Sequence, residues 1–210
     1  NPMGIPESVR EAVVNSLEMC ENYPQMFCDD LREKIGRRYG VDSSFIICGN
    51  GASDVLYRYV FAIKPKNAVV AAPCFAEYEA ALECVGAKVE YYQINHNTFE
   101  IEDDFMEMFE YKPDMIFLCN SNNPTGILIN DRLLERIIKE CDRNGVRIFL
   151  DECFLDFMGE PGRYTLKAQL SRYHNLFLLK AFTKRYAMAG IRLGYGITEN
   201  TELLDAMTQV

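Results

Sequence analysis

Two lysines and two arginines lie close together in the stretch KAFTKRYAMAGIRLG, and three of these basic residues, Lys180, Lys184 and Arg192, could take part in chemistry. A lysine amine can form a Schiff base with a carbonyl group, and a guanidinium binds phosphate through two parallel hydrogen bonds. Two carboxylates, Asp151 and Glu152, follow the apolar run RIFL earlier in the chain. These residue types could bind an anionic molecule that carries an aldehyde. The positions of the two lysines relative to the other motif residues should indicate which lysine reacts with the aldehyde.

Apolar runs alternate with amphipathic stretches along the chain, and this alternation predicts the elements that position those residues. The apolar runs are almost wholly hydrophobic, which is typical of parallel strands buried between two layers of helices. We therefore predict an α/β fold with a mostly parallel, doubly wound sheet and helices on both faces. Strands are expected at 45–49, 67–73, 88–94, 115–120, 147–152, 175–181 and 192–197, and helices at 6–20, 29–40, 52–63, 75–86, 103–109 and 131–145. The stretch 159–164 is expected to be an exposed loop.

Small, polar or aromatic residues follow most of the predicted strands. In an open α/β sheet the carboxyl ends of the strands line one crevice, and ligands bind there. We therefore expect these clusters to converge on a single site. They are Gly49–Ser53 (GNGAS), Pro73–Phe75, Asn120–Gly126 (NSNNPTG), Asp151–Glu152 and Lys184.

Each cluster has a simple structural explanation when it is taken alone. GNGAS and NNPTG are typical turns, an aromatic residue at a helix start usually packs in the core, and a single lysine usually lies in solvent. Asp151 could equally cap a helix or form a salt bridge. The combination is more informative, because it matches the needs of one cofactor, pyridoxal phosphate.

Each part of pyridoxal phosphate has a candidate partner. The turn Gly51–Ser53 at a helix start, together with Arg192, could bind the phosphate. Asp151 could keep the pyridine nitrogen protonated, and Phe75 could pack its ring against the cofactor. The side chain of Asn123 could donate a hydrogen bond to the phenolic oxygen. A lysine amine would bind the aldehyde.

The motifs also resemble those of a known family. NNPTG, a strand that ends in Asp-Glu, and Thr-Lys at 183–184 followed by Gly-Ile-Arg-Leu-Gly at 190–194 are similar to the fold-type I enzymes of the class I/II aminotransferase superfamily. Within it, NPMGIP, CFAEY, LDECFLDF and FTKRYAMAGIRLGY are most similar to stretches of the threonine-phosphate decarboxylases, and then of the histidinol-phosphate aminotransferases. The resemblance implies that Lys184 forms the Schiff base and that Lys180 does not take part.

A tyrosine early in the chain has two interpretations. Tyr23, in ENYP, matches a family tyrosine that reaches into the neighbouring subunit and contacts the cofactor phosphate, which implies a homodimer with shared sites. A Tyr-Pro turn after a helix explains the same residues equally well. The resemblance implies Lys184 and Asp151 as catalytic residues, and it implies a cofactor site made of Gly51, Ala52, Ser53, Phe75, Asn123, Asp151, Thr183, Lys184, Arg192 and Tyr23.

Two departures from the family pattern bear on the reaction. Phe154 stands where many aminotransferases carry a tyrosine and the decarboxylases tend to carry phenylalanine, whereas Ala189 is more typical of the aminotransferases. We expect a decarboxylase of a phosphorylated amino acid, with a histidinol-phosphate-type aminotransferase that uses 2-oxoglutarate as the alternative. A non-catalytic domain that has kept the fold is disfavoured, because the lysine, the aspartate, the asparagine and the arginine of the motifs are all retained.

The resemblance also divides the chain. Residues 1–27 are expected to form an N-terminal segment that contributes to the dimer and the active site, and residues 28–210 to form the large cofactor-binding domain. Family members continue into a small C-terminal domain, which supplies the arginine that binds the substrate carboxylate. We expect that domain and its arginine to lie outside this sequence, which ends at Val210.

Charge and cysteine content limit the partners. The formal net charge is −9, which disfavours nucleic acids and membrane surfaces because both are polyanionic. No apolar run approaches the length of a membrane span. Eight cysteines without a CxxC pair predict reduced, buried thiols of a cytoplasmic enzyme, and no metal site is expected. The expected partner is a small-molecule amino-acid substrate, which carries a phosphate if the chain belongs to a decarboxylase.

Overall fold

Seven strands form a single sheet in the computed structural model, which describes all residues 1–210. The strands are β1 (Ile46–Gly49), β2 (Asn67–Ala72), β3 (Lys88–Gln93), β4 (Met115–Cys119), β5 (Arg147–Asp151), β6 (Leu176–Ala181) and β7 (Gly194–Ile197). Their spatial order is β1-β7-β6-β5-β4-β2-β3. Every strand lies within a run that the sequence predicts, because short apolar runs bounded by turn residues are strong strand signals.

The sheet is mostly parallel, as predicted. Strands β2 to β6 run in one direction, whereas β7 is antiparallel to both of its neighbours, β1 and β6. Gly194 therefore pairs with Gly49 on one side and with Ala181 on the other. Because β7 runs in the opposite direction, its first residues lie at the edge where the other strands end.

Helices cover both faces of the sheet, which also confirms the prediction. They are α1 (Glu7–Asn15), α2 (Asp29–Tyr39), α3 (Ala52–Ile63), α4 (Glu77–Cys84), α5 (Asp131–Asn144), α6 (Pro161–Tyr164), α7 (Phe182–Arg185) and α8 (Thr201–Thr208). The buried side chains of α2 and α5 pack on one face, and those of α3, α4 and α8 pack on the other. Helix α5 starts where the side chain of Asn130 accepts hydrogen bonds from the backbone N–H groups of Arg132 and Leu133.

The hydrophobic core is divided by the sheet, because successive side chains of a strand point to opposite faces. In β4, Ile116 and Leu118 pack toward α5, whereas Phe117 packs toward α3 and α4. On the second face the rings of Phe149 and Phe177 stack with centroids 5.4 Å apart. Burial of each such ring contributes roughly 1.5–3 kcal/mol. The strand ends that carry polar residues are therefore attached to a well-packed core.

Several local predictions differ from the structure. The predicted helix at 103–109 is a 3-10 helix over Asp103–Tyr111, whose buried side chains Phe105 and Met108 are spaced by one 3-10 turn. The predicted helix at 6–20 is divided at Ser16 into α1 and a 3-10 helix over Leu17–Glu21. The stretch 159–164 is largely exposed but contains α6. Helix α8 was not predicted.

The N-terminal segment, residues 1–27, lies on the outside of the fold. Helix α1 has no buried residue, and the 3-10 helix after it has none. Apolar side chains of the segment are exposed, among them Val14, Leu17, Met19 and Met26. No helix of the protein has the length and apolar character needed to cross a membrane.

The eight cysteines are all free thiols. Cys119, Cys141 and Cys153 are buried, as the sequence predicts. The prediction of burial is wrong for Cys20 and Cys84, which are exposed because they lie on the outer surfaces of a 3-10 helix and of α4.

Candidate functional site

A pocket of about 220 Å³, here called the strand-end pocket, opens where β4, β5 and β6 end and where β7 begins. Eight of the predicted site residues line it: Ala52, Ser53, Phe75, Asn123, Asp151, Thr183, Lys184 and Arg192. Cys153, Phe154 and Ala181 complete the lining. The predicted convergence of the strand-end clusters is therefore present in the fold.

One end of the strand-end pocket is formed by the start of α3. Gly51 precedes the helix with φ 94°, and no side chain caps the first turn, so its backbone N–H groups are available to a ligand. The side chain of Asp54 accepts a hydrogen bond from the N–H of Asn50 at 2.9 Å and fixes the turn. The guanidinium of Arg192 lies directly over Gly51, where a β-carbon would overlap it. Helix dipole and guanidinium together favour an anion.

Close contact between β7 and α3 builds this end of the pocket. A β-carbon at Gly194 would overlap the backbone N of Ala52, so only glycine allows β7 to pass the start of the helix. Arg192, two residues earlier, has a left-handed φ of 59° and donates from Nη1 to the carbonyl of Ala189 at 3.0 Å. The glycine and the arginine of one motif therefore act on the same helix terminus.

Asp151 lines the strand-end pocket and is 5% exposed. Its Oδ2 accepts a hydrogen bond from the hydroxyl of Tyr78 at 2.6 Å, and its Oδ1 accepts one from the backbone N–H of Cys153 at 2.8 Å. These two donors fix the carboxylate in orientation. A hydroxyl and a peptide group do not neutralise its charge.

The groups around Asp151 are held in neutral forms. Burial, followed by the nearby carboxylate of Asp151, raises the pKa of Tyr78 and of Cys153 well above their ordinary values. The same two causes, in the same order, raise the pKa of Cys119. Asp151 forms no ion pair, whereas buried charges are normally paired. The pocket therefore offers a buried carboxylate that lacks a cation.

The two candidate lysines face different environments. Lys184, on the short helix α7, lines the pocket, and its Nζ lies 5.2 Å from the ring centroid of Phe154. Lys180 is buried and forms an ion pair with Glu152 at 2.9 Å. Burial, the largest single cause, lowers the pKa of Lys180, but the charge and hydrogen bond of Glu152, together with Tyr39 and Asp156, leave this pKa above its ordinary value. Only the amine of Lys184 is available to a ligand in the pocket.

The loop after β4 is tied to the loop after β2. The side chain of Asn122 donates to the carbonyl of Pro73 at 3.1 Å and to the hydroxyl of Thr125 at 3.1 Å. Asn120, which is buried, accepts a hydrogen bond from the backbone N–H of Ile129 at 2.9 Å. These contacts fix the loop that carries Asn123, which lines the pocket. They also connect this loop to the segment that leads to Phe75.

Sequence reasoning missed Tyr78, which holds Asp151 in place. The ring of Tyr78 stacks on Phe117 with centroids 5.3 Å apart and meets Phe75 edge-on at 5.7 Å. Tyr78 follows Phe75 by three residues at the start of a predicted helix, and this spacing places both side chains on one helix face. That spacing could have indicated that Tyr78 lies near the pocket, but it does not show that the hydroxyl donates a hydrogen bond to a residue of β5.

Two other predicted residues lie outside the lining. Gly51 supports the pocket from beneath Arg192 without lining it. Tyr23 is fully exposed and contacts no part of the pocket within its own chain. The N-terminal segment does meet the site at another point, because the side chain of Asn1 donates to the carbonyls of Lys184 and Arg185 at 3.2 Å and 2.9 Å. The predicted role of Tyr23 in a partner subunit stays a prediction.

Comparison with known protein families gives a match over the whole chain. The model of aminotransferase class I and II matches residues 1–210. The chain belongs to this family. The resemblance that the motifs indicate is therefore confirmed at the level of the family.

The relatives within the aminotransferase family include proteins named as decarboxylases and proteins named as aminotransferases. The chain is 31% identical over 208 residues to the threonine-phosphate decarboxylase of Salmonella typhimurium, covering 99% of this chain and 57% of that protein. It is 28% identical over 212 residues to histidinol-phosphate aminotransferase 2 of Haemophilus influenzae, covering 100% and 57%. The chain thus spans a little over half the length of these relatives.

Solved structures give the same picture of this family member. The fold matches the histidinol-phosphate aminotransferase of Clostridium acetobutylicum with a TM-score of 0.90 and 28% identity, over 100% of this chain and 61% of that one. It matches the L-threonine-O-3-phosphate decarboxylase of Porphyromonas gingivalis with a TM-score of 0.84 and 25% identity, over 98% and 60%. The fold prediction is therefore supported by two enzymes with different reactions.

Proposed function

We propose that this chain is the cofactor-binding part of a pyridoxal-phosphate-dependent enzyme that decarboxylates a phosphorylated amino acid. The observation that carries the cofactor assignment is Asp151, a buried carboxylate in the pocket that forms no ion pair with any cation of the chain. A protonated pyridine nitrogen would supply the missing positive charge. The pocket therefore has the electrostatic partner that this cofactor requires.

The remaining residues fit the other parts of the same cofactor. The uncapped start of α3 and the guanidinium of Arg192 suit a phosphate dianion. Phe75 offers an aromatic surface for the ring, and Asn123 offers an amide donor for the phenolic oxygen. Thr183 lines the pocket next to Lys184, whose amine suits the aldehyde. The donor set thus contains one partner for each functional group.

Each side chain then has a definite task in the reaction. Pyridoxal phosphate, when bound, supplies the electron sink that makes a bond at the substrate Cα breakable. Asp151 holds the proton on the ring nitrogen, and Tyr78 keeps that carboxylate in orientation. Lys184 carries the amine that accepts or returns a proton at Cα, and Phe154 gives it an apolar wall. Arg192 anchors the phosphate end, so that the reacting end stays in place.

The choice of reaction depends on the bond held perpendicular to the ring plane. Phe154 lines the pocket without a hydroxyl, and phenylalanine at this motif position supports the decarboxylase. The alternative is a histidinol-phosphate-type aminotransferase that transfers an amino group to 2-oxoglutarate. The fold match to the enzyme of Clostridium acetobutylicum supports this alternative.

The assembly that we propose is a homodimer in the cytoplasm. Exposed apolar side chains along residues 1–27 support a partner surface there, and the hydrogen bonds from Asn1 bring this segment to α7. Eight free cysteines support a reducing compartment. The substrate-binding arginine is expected in residues that correspond to the unmatched part of the relatives.

The experiment compares two products in the full-length protein loaded with pyridoxal phosphate. L-threonine O-3-phosphate should release carbon dioxide without a keto-acid acceptor. If the chain is an aminotransferase, histidinol phosphate should donate its amino group to 2-oxoglutarate, so glutamate should form only when 2-oxoglutarate is present as the acceptor. If neither substrate reacts and borohydride attaches no cofactor to Lys184, the chain is a non-catalytic member of the family and the proposal is wrong.

A further inference from the structure

A second cleft, here called the basic cleft, lies outside the strand-end pocket and has a volume of about 410 Å³. It is bordered by the end of α2, by residues 161–168 and by the segment from β6 to α7. Four basic side chains line it: Arg38, Lys167, Lys180 and Arg185. Asp156 is the one carboxylate in its lining.

The positive charge of the basic cleft is only partly neutralised. Lys180 pairs with Glu152 at 2.9 Å, and Arg185 pairs with Asp156 at the longer distance of 3.7 Å. Arg38 and Lys167 take part in none of the ion pairs of the protein. Two positive charges thus remain without a carboxylate partner, in a chain whose formal net charge is −9. A basic concave surface on an acidic protein attracts anions locally.

The wall of the cleft is held in place by buried contacts. The side chains of Lys180 and Glu152 are 5% and 0% exposed. Glu152 also accepts hydrogen bonds from the hydroxyl of Thr165 at 2.7 Å and from the backbone N–H of Leu166 at 2.9 Å. Lys167, next in the chain, donates from Nζ to the carbonyl of Tyr39. The basic groups therefore project from a fixed framework.

The basic cleft is separate from the strand-end pocket although both use the same segment. Lys180 lines the cleft and Ala181 lines the pocket, because neighbouring residues of a strand point to opposite faces. On α7, Lys184 lines the pocket and Arg185 lines the cleft. A molecule in the cleft would therefore lie on the far side of the segment that carries Lys184.

The chemistry of the cleft selects one class of ligand. Two unpaired cations match the charge of a phosphomonoester dianion, and a guanidinium binds phosphate oxygens in pairs. The volume is within the range of small-molecule sites, so there is room for an organic group besides the phosphate. We propose that the basic cleft is a second binding site, and that it binds a small phosphorylated molecule through Arg38 and Lys167.

Isothermal titration calorimetry tests this site in the protein loaded with pyridoxal phosphate, so that the start of α3 and Arg192 are already engaged. The titrants are glycerol 3-phosphate and inorganic phosphate, with ionic strength kept constant by sodium chloride. Both should bind, and Arg38→Ala and Lys167→Gln should each weaken binding by about tenfold or more, since each removes a charge-assisted hydrogen bond. A melting curve for each variant shows that it is folded.

A control variant on the same helix decides whether the anion binds in the cleft. Arg37 is the neighbour of Arg38, but it pairs with Glu33 at 2.9 Å and does not line the cleft, so Arg37→Ala should leave binding unchanged. The proposal is overturned if wild-type protein binds neither titrant, if Arg37→Ala weakens binding as much as Arg38→Ala, or if Arg38→Ala and Lys167→Gln both bind as tightly as the wild type.

Discussion

The hydroxyl of Tyr78 lies 2.6 Å from Oδ2 of Asp151, and both residues are buried. The tyrosine belongs to α4, on one face of the sheet, and the aspartate is the last residue of β5. The hydrogen bond therefore links the orientation of the carboxylate to the packing of a helix. Because the pKa of Tyr78 is raised by burial and by Asp151, the hydroxyl stays a donor through the physiological range.

Tyr78→Phe removes this hydrogen bond and keeps the ring that stacks on Phe117. The free energy of unfolding should fall by about 1.5–3 kcal/mol, because a buried hydrogen bond to a charged group is lost. Urea denaturation measures the change. Tyr57→Phe is the control, since the hydroxyl of Tyr57 donates to Glu77 near the surface. The free energy of unfolding should fall much less in this variant. Equal losses would show that the Tyr78 hydroxyl does not stabilise Asp151.

Asp151→Asn keeps the shape of the side chain and removes its charge. If Asp151 holds a protonated pyridine nitrogen, turnover of the full-length protein should fall by several orders of magnitude while cofactor binding weakens less. Steady-state kinetics and a fluorescence titration of the cofactor measure the two effects. The matched control is Asp156→Asn, whose carboxylate pairs with Arg185 outside the strand-end pocket. An asparagine variant at 151 with near wild-type turnover would assign this carboxylate a structural role only.

Borohydride reduction of the protein with bound pyridoxal phosphate should attach the cofactor to Lys184 and leave Lys180 unmodified. The reason is that Lys184 lines the strand-end pocket, whereas Lys180 is buried and paired with Glu152. Peptide mapping by mass spectrometry locates the adduct. Lys184→Ala should give no adduct yet still bind the cofactor, because the contacts to phosphate and ring remain. An adduct on Lys180 would refute the assignment.

Gly194→Ala should damage the anion-binding end of the pocket, because the added β-carbon overlaps the backbone at the start of α3. We expect a loss of stability of about 1–3 kcal/mol from overpacking and a weaker affinity for pyridoxal phosphate by at least about tenfold. Gly190→Ala, in the same motif, is the control, since a β-carbon there meets open space. If both alanine variants lower the affinity for pyridoxal phosphate equally, the close contact of Gly194 with α3 does not explain the loss.

Tyr23 should act on the cofactor phosphate of a partner subunit. Tyr23→Phe should weaken cofactor affinity by roughly tenfold, since a hydrogen bond to a charged phosphate contributes about 1.5–3 kcal/mol. A mixture of Lys184→Ala and Tyr23→Phe subunits places both defects in one site of the heterodimer and leaves the other site intact. Activity of the full-length mixture should therefore exceed that of either parent. Activity equal to the average of the parents, after confirmed subunit exchange, would show that Tyr23 acts within its own chain.

The strands and α3 could be predicted from the sequence because their signals are local. Apolar runs bounded by glycine, proline or asparagine mark the strands, and GNGAS marks the start of α3. The direction of β7 could not be predicted from its residues, since buried parallel and buried antiparallel strands can have the same apolar sequence pattern. Helix α8 was missed although Leu203, Leu204 and Met207 give it an apolar face.

The site residues could be collected from the sequence, but their orientation could not. Asp151 and Glu152 are adjacent carboxylates, and only the fold shows that one meets Tyr78 while the other meets Lys180. The difference arises because neighbouring strand residues face opposite sides of the sheet, which themselves carry different helices. The contribution of Tyr78 depends on contact between α4 and β5, which no local pattern encodes.

The pairing of β1 with β7 has a consequence for synthesis of the chain. Strand β1 lies at the edge of the sheet, and β7 is its single strand partner, although the two are separated by most of the sequence. As the ribosome releases the chain, β1 has no strand to pair with until residues 194–197 emerge. Contacts at such long separation form late, because the loop between them must close first. The start of α3 is therefore fixed against Arg192 only after residues 192–197 have left the ribosome, so this end of the strand-end pocket is completed long after α3 itself has been synthesised.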